Sequence, residues 1–187
     1  YEDLQDPASK SLVQKLADAA VTVLKSDKKI AAFDTKKSTS LVSIGIDKAQ
    51  DFETGLALQL ADADQFILTG KETEDELDAL VKEIRKNRQV VLAIHDNRSR
   101  PRSVLDLNDT TKAFIEKIAG KRTITFMFTN PYAIDTTPIQ RSASIVMTYQ
   151  NDFFMQKAAL KILLGQAKAQ GKLPVTINKN YQFGQGI

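Results

Sequence analysis

The chain holds one histidine, His95, and the residues after it set the first chemical question. His95 closes the apolar run QVVLAIH, and Asp96, Asn97 and Arg98 follow it, with Arg100 and Arg102 just beyond. A histidine among carboxylates and amides can act as a general base, because its proton comes and goes near neutral pH. No nucleophile motif supports that role: there is no G-x-S-x-G elbow, and cysteine does not occur. One structural hydrogen bond to a loop explains a histidine at a strand end equally well. The arginines around Pro101 could grip a carboxylate or phosphate, but spread along a loop they read first as a solvated face or an interdomain contact.

In an open α/β sheet, ligands bind beyond the carboxyl ends of the strands. Residues at such ends here are Asp47, Gly70, His95 to Asn97, Asn130 with Tyr132, and Gln150 with Asn151. From this rim, His95, Asn97, Arg98, Asn130 and Tyr132 are the candidates for contact with a substrate or a neighbouring domain. The plainer reading is that loops at strand ends are polar because they are solvated. One histidine without cysteine leaves no metal-ligand set, and the acidic run TEDELD reads as a solvated helix face. Neither G-x-x-x-x-G-K-[ST] nor G-x-G-x-x-G occurs after a strand, so nucleotide and flavin sites lack their cradles. Glycoside hydrolysis needs two facing carboxylates, and nothing in the spacing singles out a pair. No catalytic residue, metal or cofactor is assigned.

The elements that must carry this rim alternate between helix and strand. Asp6 and Pro7 open a leading amphipathic helix over residues 1–28, with Leu12, Val13, Leu16, Ala20, Val23 and Leu24 at helical spacing. After the short apolar IAAF stretch (residues 30–33), LVSIGI (41–46) reads as a central strand. A short helix through Phe52, Leu56 and Leu60 follows, then a strand over 65–69 closed by Gly70. Thr73 and Glu76 form a capping box ahead of Leu77, Leu80, Val81 and Ile84. Strands at 89–95, 123–129 and 144–149 flank a helix carrying Phe114, Ile115 and Ile118. Asn151 caps a last helix, and LPVTI and YQFGQGI flank a turn at Asn178 to Asn180, reading as a β-hairpin or an edge strand.

Continuous apolar strands between amphipathic helices predict strands buried on both faces. The expected fold is a three-layer α/β/α sandwich with a mostly parallel, flavodoxin-like sheet and a C-terminal β extension, forming a single domain over residues 1–187. At 187 residues, 42% of them apolar, the chain suits one core. The 26 Lys and Arg nearly balance the 23 Asp and Glu, so a net charge of +3 gives no commitment to nucleic acid. No apolar run approaches the roughly 20 residues of a membrane span. A chain starting at Tyr1 without a signal-peptide pattern reads as a segment of a longer protein.

Several segments, in order, carry a resemblance. FMFTNPYAI (126–134), IVMTYQNDFFMQKAALKILLGQ (145–166), GKLPVTINKNYQFGQGI (171–187), DPASKSLVQKLADAAVTVLKSD (6–27) and VVLAIHDNRSRP (90–101) resemble the domain that follows the barrel in family 3 glycoside hydrolases. The branch they resemble is the β-N-acetylhexosaminidase (β-N-acetylglucosaminidase) type, in its Bacteroidetes-like form. The resemblance implies a non-catalytic second domain. Its partners would be a catalytic TIM-like barrel of the same parent and, through the parent, an N-acetylglucosaminide. Both catalytic groups of that branch lie on the barrel, so no catalytic residue carries over, and this chain alone is expected to be inactive. The resemblance also implies an extracytoplasmic parent in a Gram-negative bacterium. The alternative reading is a free-standing flavodoxin-like ligand-binding or signalling module.

Overall fold

The computed structural model describes residues 6–26, 30, 33–100 and 102–187. Asp6 caps helix α1 (Pro7–Ala20), its carboxylate accepting from the Ala8 and Ser9 N–H groups, and Pro7 fits the first turn because its missing N–H would be unpaired there. The helix stops at Ala20, short of the predicted extent. The β-branched residues Val21, Thr22 and Val23 turn the chain into strand β1 (Thr22–Ser26). Val23 and Leu24 therefore belong to a strand; residues 1–5, 27 and 28 of the predicted helix, and Ala31 and Ala32 of the IAAF stretch, lie outside the described residues.

The remaining elements follow the predicted alternation: β2 (Thr39–Ile44), α2 (Asp51–Ala57), β3 (Ala63–Leu68), α3 (Glu74–Ile84), β4 (Gln89–His95), α4 (Asp109–Ile118), β5 (Thr123–Phe128), β6 (Ser144–Met147) and α5 (Phe153–Leu163). They build a six-stranded sheet in the order β1-β6-β5-β4-β2-β3, parallel except for β1, which runs antiparallel to β6. Period-two alternation sends Val90, Leu92 and Ile94 of β4 into the core under α3 and α4, and Val91 and Ala93 into the core under α1, α2 and α5. The three-layer α/β/α sandwich is the predicted one.

Two ends depart from prediction. The α5 cap is Asp152, whose carboxylate accepts from the Phe154 and Met155 N–H groups, so Asn151 is free for another task. The tail forms one isolated antiparallel bridge, Asn178 to Tyr181, in place of paired strands. Beyond the bridge it is tied by single contacts, such as Leu173 N–H to Gln185 O and Ile187 N–H to Val23 O.

The path from β2 runs outward to the edge strand β3 and then back across to β4, from which β5 and β6 continue in the other direction. The direction in which strands are added across the sheet thus reverses between the parallel neighbours β2 and β4, and the crevice at their carboxyl ends is where such sheets hold ligands. Gly45, just past β2, sits in it with φ +90, and a Cβ there would lie 2.4 Å from the His95 carbonyl oxygen. Only glycine lets the two strand ends approach this closely.

Candidate functional site

His95 is the last residue of β4 and faces the α2 side of the sheet, in step with Val91 and Ala93. Its ring stacks on Phe128, its register partner in β5, with centroids 4.7 Å apart and planes 9° from parallel. Phe52 of α2 packs on Phe126 and Phe128 beside it, which brings the next residue, Glu53, to the Nε2 edge of the ring. His95 Nε2 lies 2.9 Å from Glu53 Oε1, and both side chains are 0% exposed. Ser43 Oγ of β2 donates to the same carboxylate oxygen, and the Gln50 N–H donates to the other, as the acidic member of a capping box requires. Burial alone would push the Glu53 carboxyl up. The hydrogen bond and charge of His95, with the Gln50 and Ser43 bonds, outweigh burial and hold it below the usual carboxylate range.

From the other ring nitrogen a chain of amides runs to the surface, and two backbone groups fix the direction of every bond in it. The Gly45 carbonyl can only accept, so Asn97 turns Nδ2 toward it and offers Oδ1 to Gln50 Nε2 and Asn151 Nδ2. The Phe52 N–H can only donate, so Gln156 offers it Oε1 and gives its Nε2 protons to Gln50 Oε1 and Asn151 Oδ1. Asn151 Oδ1 is therefore an acceptor, and His95 Nδ1, 2.9 Å away, donates to it. The opposite ring nitrogen, Nε2, meets Glu53 Oε1 at the buried end of the network.

The predicted rim residues divide here. His95 and Asn97 belong to this network. Arg98 instead folds back on Asp96, with Nε and Nη2 on its two oxygens at 2.7 and 2.8 Å, and reaches Asp106 and the Val104 carbonyl. This fork clamps the loop after β4, so Arg98 grips its own loop in place of a ligand. Burial tends to raise the Asp96 carboxyl, and the Arg98 bonds and charge override it and lower it. Asn130 spends its Oδ1 on the Tyr132 N–H, capping a 3-10 turn at Pro131–Asp135, and Tyr132 stands 41% exposed. Neither residue shares a hydrogen bond with the His95 network.

A cavity of about 310 Å³ opens over the network, lined by Asp96, Asn97, Arg98, Ser99 and Gln150 to Asp152. Beside it Tyr149 holds a left-handed backbone (φ 67), unusual for a bulky residue, with its hydroxyl 2.6 Å from Thr22 Oγ. An apolar cavity of about 490 Å³ shares Gln150 and Asp152 with the first and runs along Val13, Leu16 and Ala20 of α1. Glu53, Ser43, Gln50 and Gln156 were not singled out from sequence. The only local signal was the three-residue spacing of Gln50 and Glu53 ahead of an apolar helix face. Among the described residues no group of three or more His, Asp or Glu side chains gathers as a metal site, and no helix is long and apolar enough to cross a membrane.

A family model described as the glycosyl hydrolase family 3 C-terminal domain matches residues 3–184. The chain belongs to this family. A comparison with curated proteins returned no match. Among solved structures, the family 3 domain is similar to a glycoside hydrolase family 3 β-N-acetylglucosaminidase from Paenibacillus sp. str. FPU-7, at 21% identity and TM-score 0.70, covering 94% of this chain and 34% of that one. A β-glucosidase from Listeria innocua in complex with glucose matches at 12% identity and TM-score 0.72, covering 95% and 28%. A fungal multi-domain family 3 β-N-acetylglucosaminidase matches at 15% and 0.71, covering 92% and 19%. At these identities the structures establish the shared fold, and the family 3 domain spans about a third or less of their length. The family assignment makes the chain a non-catalytic second domain of glycoside hydrolases in place of a free-standing flavodoxin-like module, and such domains normally pair with a catalytic barrel.

Proposed function

We propose that this family 3 domain serves a β-N-acetylhexosaminidase, docking on the catalytic barrel and presenting its strand-end rim beside the carbohydrate. The observation that carries the reading is the rim at the β2/β4 switch point. It holds a cavity over a fully satisfied polar network and offers amides for recognition, but no activated nucleophile. The hexosaminidase branch is supported by the ordered NPY, YQN and LPV segments and by the likeness to two β-N-acetylglucosaminidases. Docking is supported by α1, where Leu12, Val13 and Leu16 lie open to solvent, Leu16 at 62%, and Val13 and Leu16 line the apolar cavity that adjoins the rim.

The test compares a parent carrying barrel and domain with the domain alone, on an aryl N-acetyl-β-glucosaminide and an aryl β-glucoside. The expected result is hydrolysis of the first substrate by the parent only. Turnover by the domain alone overturns the non-catalytic reading, and preference for the glucoside overturns the hexosaminidase one.

A further inference from the structure

Charges that nearly cancel over the whole chain, 26 Lys and Arg against 23 Asp and Glu, do not cancel in place. At the rim the first turns of α2, α3 and α4 are acidic, with Asp51, Glu74, Asp75 and Asp109 among them. At the opposite end, where the parallel strands begin, the loops are basic. Arg88 precedes β4, Lys121 and Arg122 precede β5, and Arg141 precedes β6. Arg85 follows α3 into the same corner, and Lys25 joins from the antiparallel β1, its Nζ donating to the Gln140 carbonyl. Backbone bonds hold these loops side by side, Val90 N–H to the Arg122 carbonyl and Ala143 N–H to the Gly120 carbonyl. Because β4, β5, β6 and β1 are neighbours in the sheet, the cations form a row across four strands, roughly 15 Å long at the usual strand spacing. Four of the chain's seven arginines stand in it.

Neutralising helix carboxyl ends accounts for other cations here: Lys86 and Lys117, at the ends of α3 and α4, are paired with Glu83 and Asp78. Among the described residues no carboxylate pairs with any of the six cations of the row. Arg122 gives Nη1 to the Asn87 and Arg85 carbonyls, which fixes its guanidinium and leaves Nε and Nη2, an edge that can grip a carboxylate in a fork. It borders a notch of about 110 Å³ lined also by Arg85, Lys121 and Gly120, with room for one acid group. Beyond β4 the row stops, since Lys37 ahead of β2 is paired with Asp34, and Asp62 and Asp64 stand at the start of β3.

We infer that this end of the domain is a docking surface for a linear acidic polysaccharide laid across the starts of β4, β5, β6 and β1. A row of cations matches a line of charge, whereas an anionic membrane presents a plane and is held best with an apolar anchor. No exposed large apolar side chain lies in the loops ahead of β4, β5 and β6. Single-stranded nucleic acid stacks its bases on aromatic platforms, and these loops, 85–89, 119–123 and 139–143, hold no aromatic residue. Adjacent strands set successive cations about 5 Å apart, close to the length of one sugar ring, so acid groups on successive rings can meet successive guanidinium groups. The surface lies at the far end of the strands from the rim, so docking through the rim leaves it open, and the parent would be held on an anionic matrix while its barrel works. The inference does not rest on the hexosaminidase reading.

The experiment is fluorescence anisotropy of a labelled galacturonate oligomer, long enough to span the row, titrated with the chain. The expected result is saturable binding that weakens at least about tenfold between about 50 and about 200 mM salt, as the release of counterions at several contacts requires. Arg88→Glu/Arg141→Glu should weaken binding at least about tenfold at low salt. Lys48→Glu/Arg100→Glu makes the same change of net charge at the rim, roughly 20 Å away and beyond a Debye length, and should stay within about twofold. All four side chains are exposed, and unchanged melting of both variants shows that the fold is kept. Unlabelled galacturonate should displace the probe, and a neutral chito-oligomer of the same length should not. Displacement by the neutral oligomer overturns the role of charge. Stronger displacement by oligothymidylate or by phosphatidylglycerol vesicles overturns the choice of a polysaccharide. Equal losses in the two double variants overturn the row, and absence of binding at low salt overturns the surface altogether. None of these outcomes touches the hydrolysis test of the parent, which reads the barrel's chemistry.

Discussion

Substituting Glu53 with alanine strips three donors of their acceptor at once: His95 Nε2, Ser43 Oγ and the Gln50 N–H. All of this happens where the ring and carboxylate are 0% exposed, so water cannot substitute without opening the α2 layer. Removing one partner of a buried pair costs about 3–5 kcal/mol, a large share of the roughly 5–15 kcal/mol that holds a domain together. For a chain of this length, a loss of 1 kcal/mol lowers Tm by about 2–4 °C, so Glu53→Ala should melt about 6–20 °C lower. His95→Ala should fall in the same range, with the added loss of stacking on Phe128. Glu53→Gln/His95→Phe, with no charge left to strand, should lie within about 2 kcal/mol of the unsubstituted chain. Denaturant midpoints at constant m complete the double-mutant cycle. The reasoning is refuted if either alanine variant loses less than about 1 kcal/mol, or if the double variant loses the sum of two large single losses. The pH dependence has a definite sign. Because folding lowers the Glu53 carboxyl, its contribution is fully present above the unfolded glutamate value and disappears as pH falls through the lower folded value. In Glu53→Gln that acid-side slope should flatten.

Arg98→Lys keeps the charge but not the fork on Asp96, so the loop after β4 should exchange its amides faster, and stability should drop by about 1–3 kcal/mol in denaturant melts. In the same variant, carboxyl NMR should find Asp96 titrating higher, since Arg98 is what lowers it. Gly45→Ala combines a left-handed backbone with a Cβ at 2.4 Å from the His95 carbonyl, and should lose at least about 2 kcal/mol while shifting the His95 ring resonances. Tyr149→Phe removes the 2.6 Å contact with Thr22 and should cost about 1 kcal/mol, with Tyr149→Phe/Thr22→Val closer to neutral because no polar group is then left unpaired. Leu12→Glu/Leu16→Glu on the exposed face of α1 should leave the domain's own stability within about 0.5 kcal/mol per site. Assembly with the barrel, read by co-purification, should fail in that variant.

The sheet was legible because its central strands are buried on both faces: Val90 to Ile94 is an unbroken apolar run and Thr123 to Phe128 is broken only by threonines, and short-range pattern is enough for those. Local pattern fails where pairing is made elsewhere. Val23 and Leu24 continue the helical spacing of α1, and only their pairing with β6, far along the chain, makes a strand of them. Asn151 and Asp152 are both good helix caps by residue type; the pattern pointed to Asn151, whereas Asp152 caps the helix and Asn151 joins the network. The tail has strand-like composition, yet it touches the free edge of β1 only through isolated bonds, Gly171 N–H to the Val21 carbonyl and Ile187 N–H to the Val23 carbonyl, and settles as a turn with one bridge. Arg98 illustrates the same limit at the rim, since a clamp on a neighbouring carboxylate and a waiting ligand site look alike in a string of residues.

The polar network was hidden for a related reason. Glu53 follows Phe52 on an ordinary amphipathic turn and would be taken as solvated, and Ser43 sits inside a strand otherwise rich in apolar side chains. Their meeting with His95 depends on α2 lying across the β2/β4 switch point, a property of strand order. A buried ion pair is weak support for stability by itself, because well-packed apolar residues do as well or better. Packing could therefore hold α2 to the sheet without any charge. What packing cannot do is tell an asparagine at the surface which end to turn outward: the carbonyl and NH2 ends have nearly the same shape, so only a hydrogen-bond partner of known polarity distinguishes them. At the rim of this domain those partners are the Gly45 carbonyl, which draws Asn97 Nδ2 inward, and the Phe52 N–H, which through Gln156 makes Asn151 Oδ1 an acceptor. The direction of Asn97 and Asn151 is thus imposed by the backbone of the β2 end and of α2, which the strand order brings together at this rim.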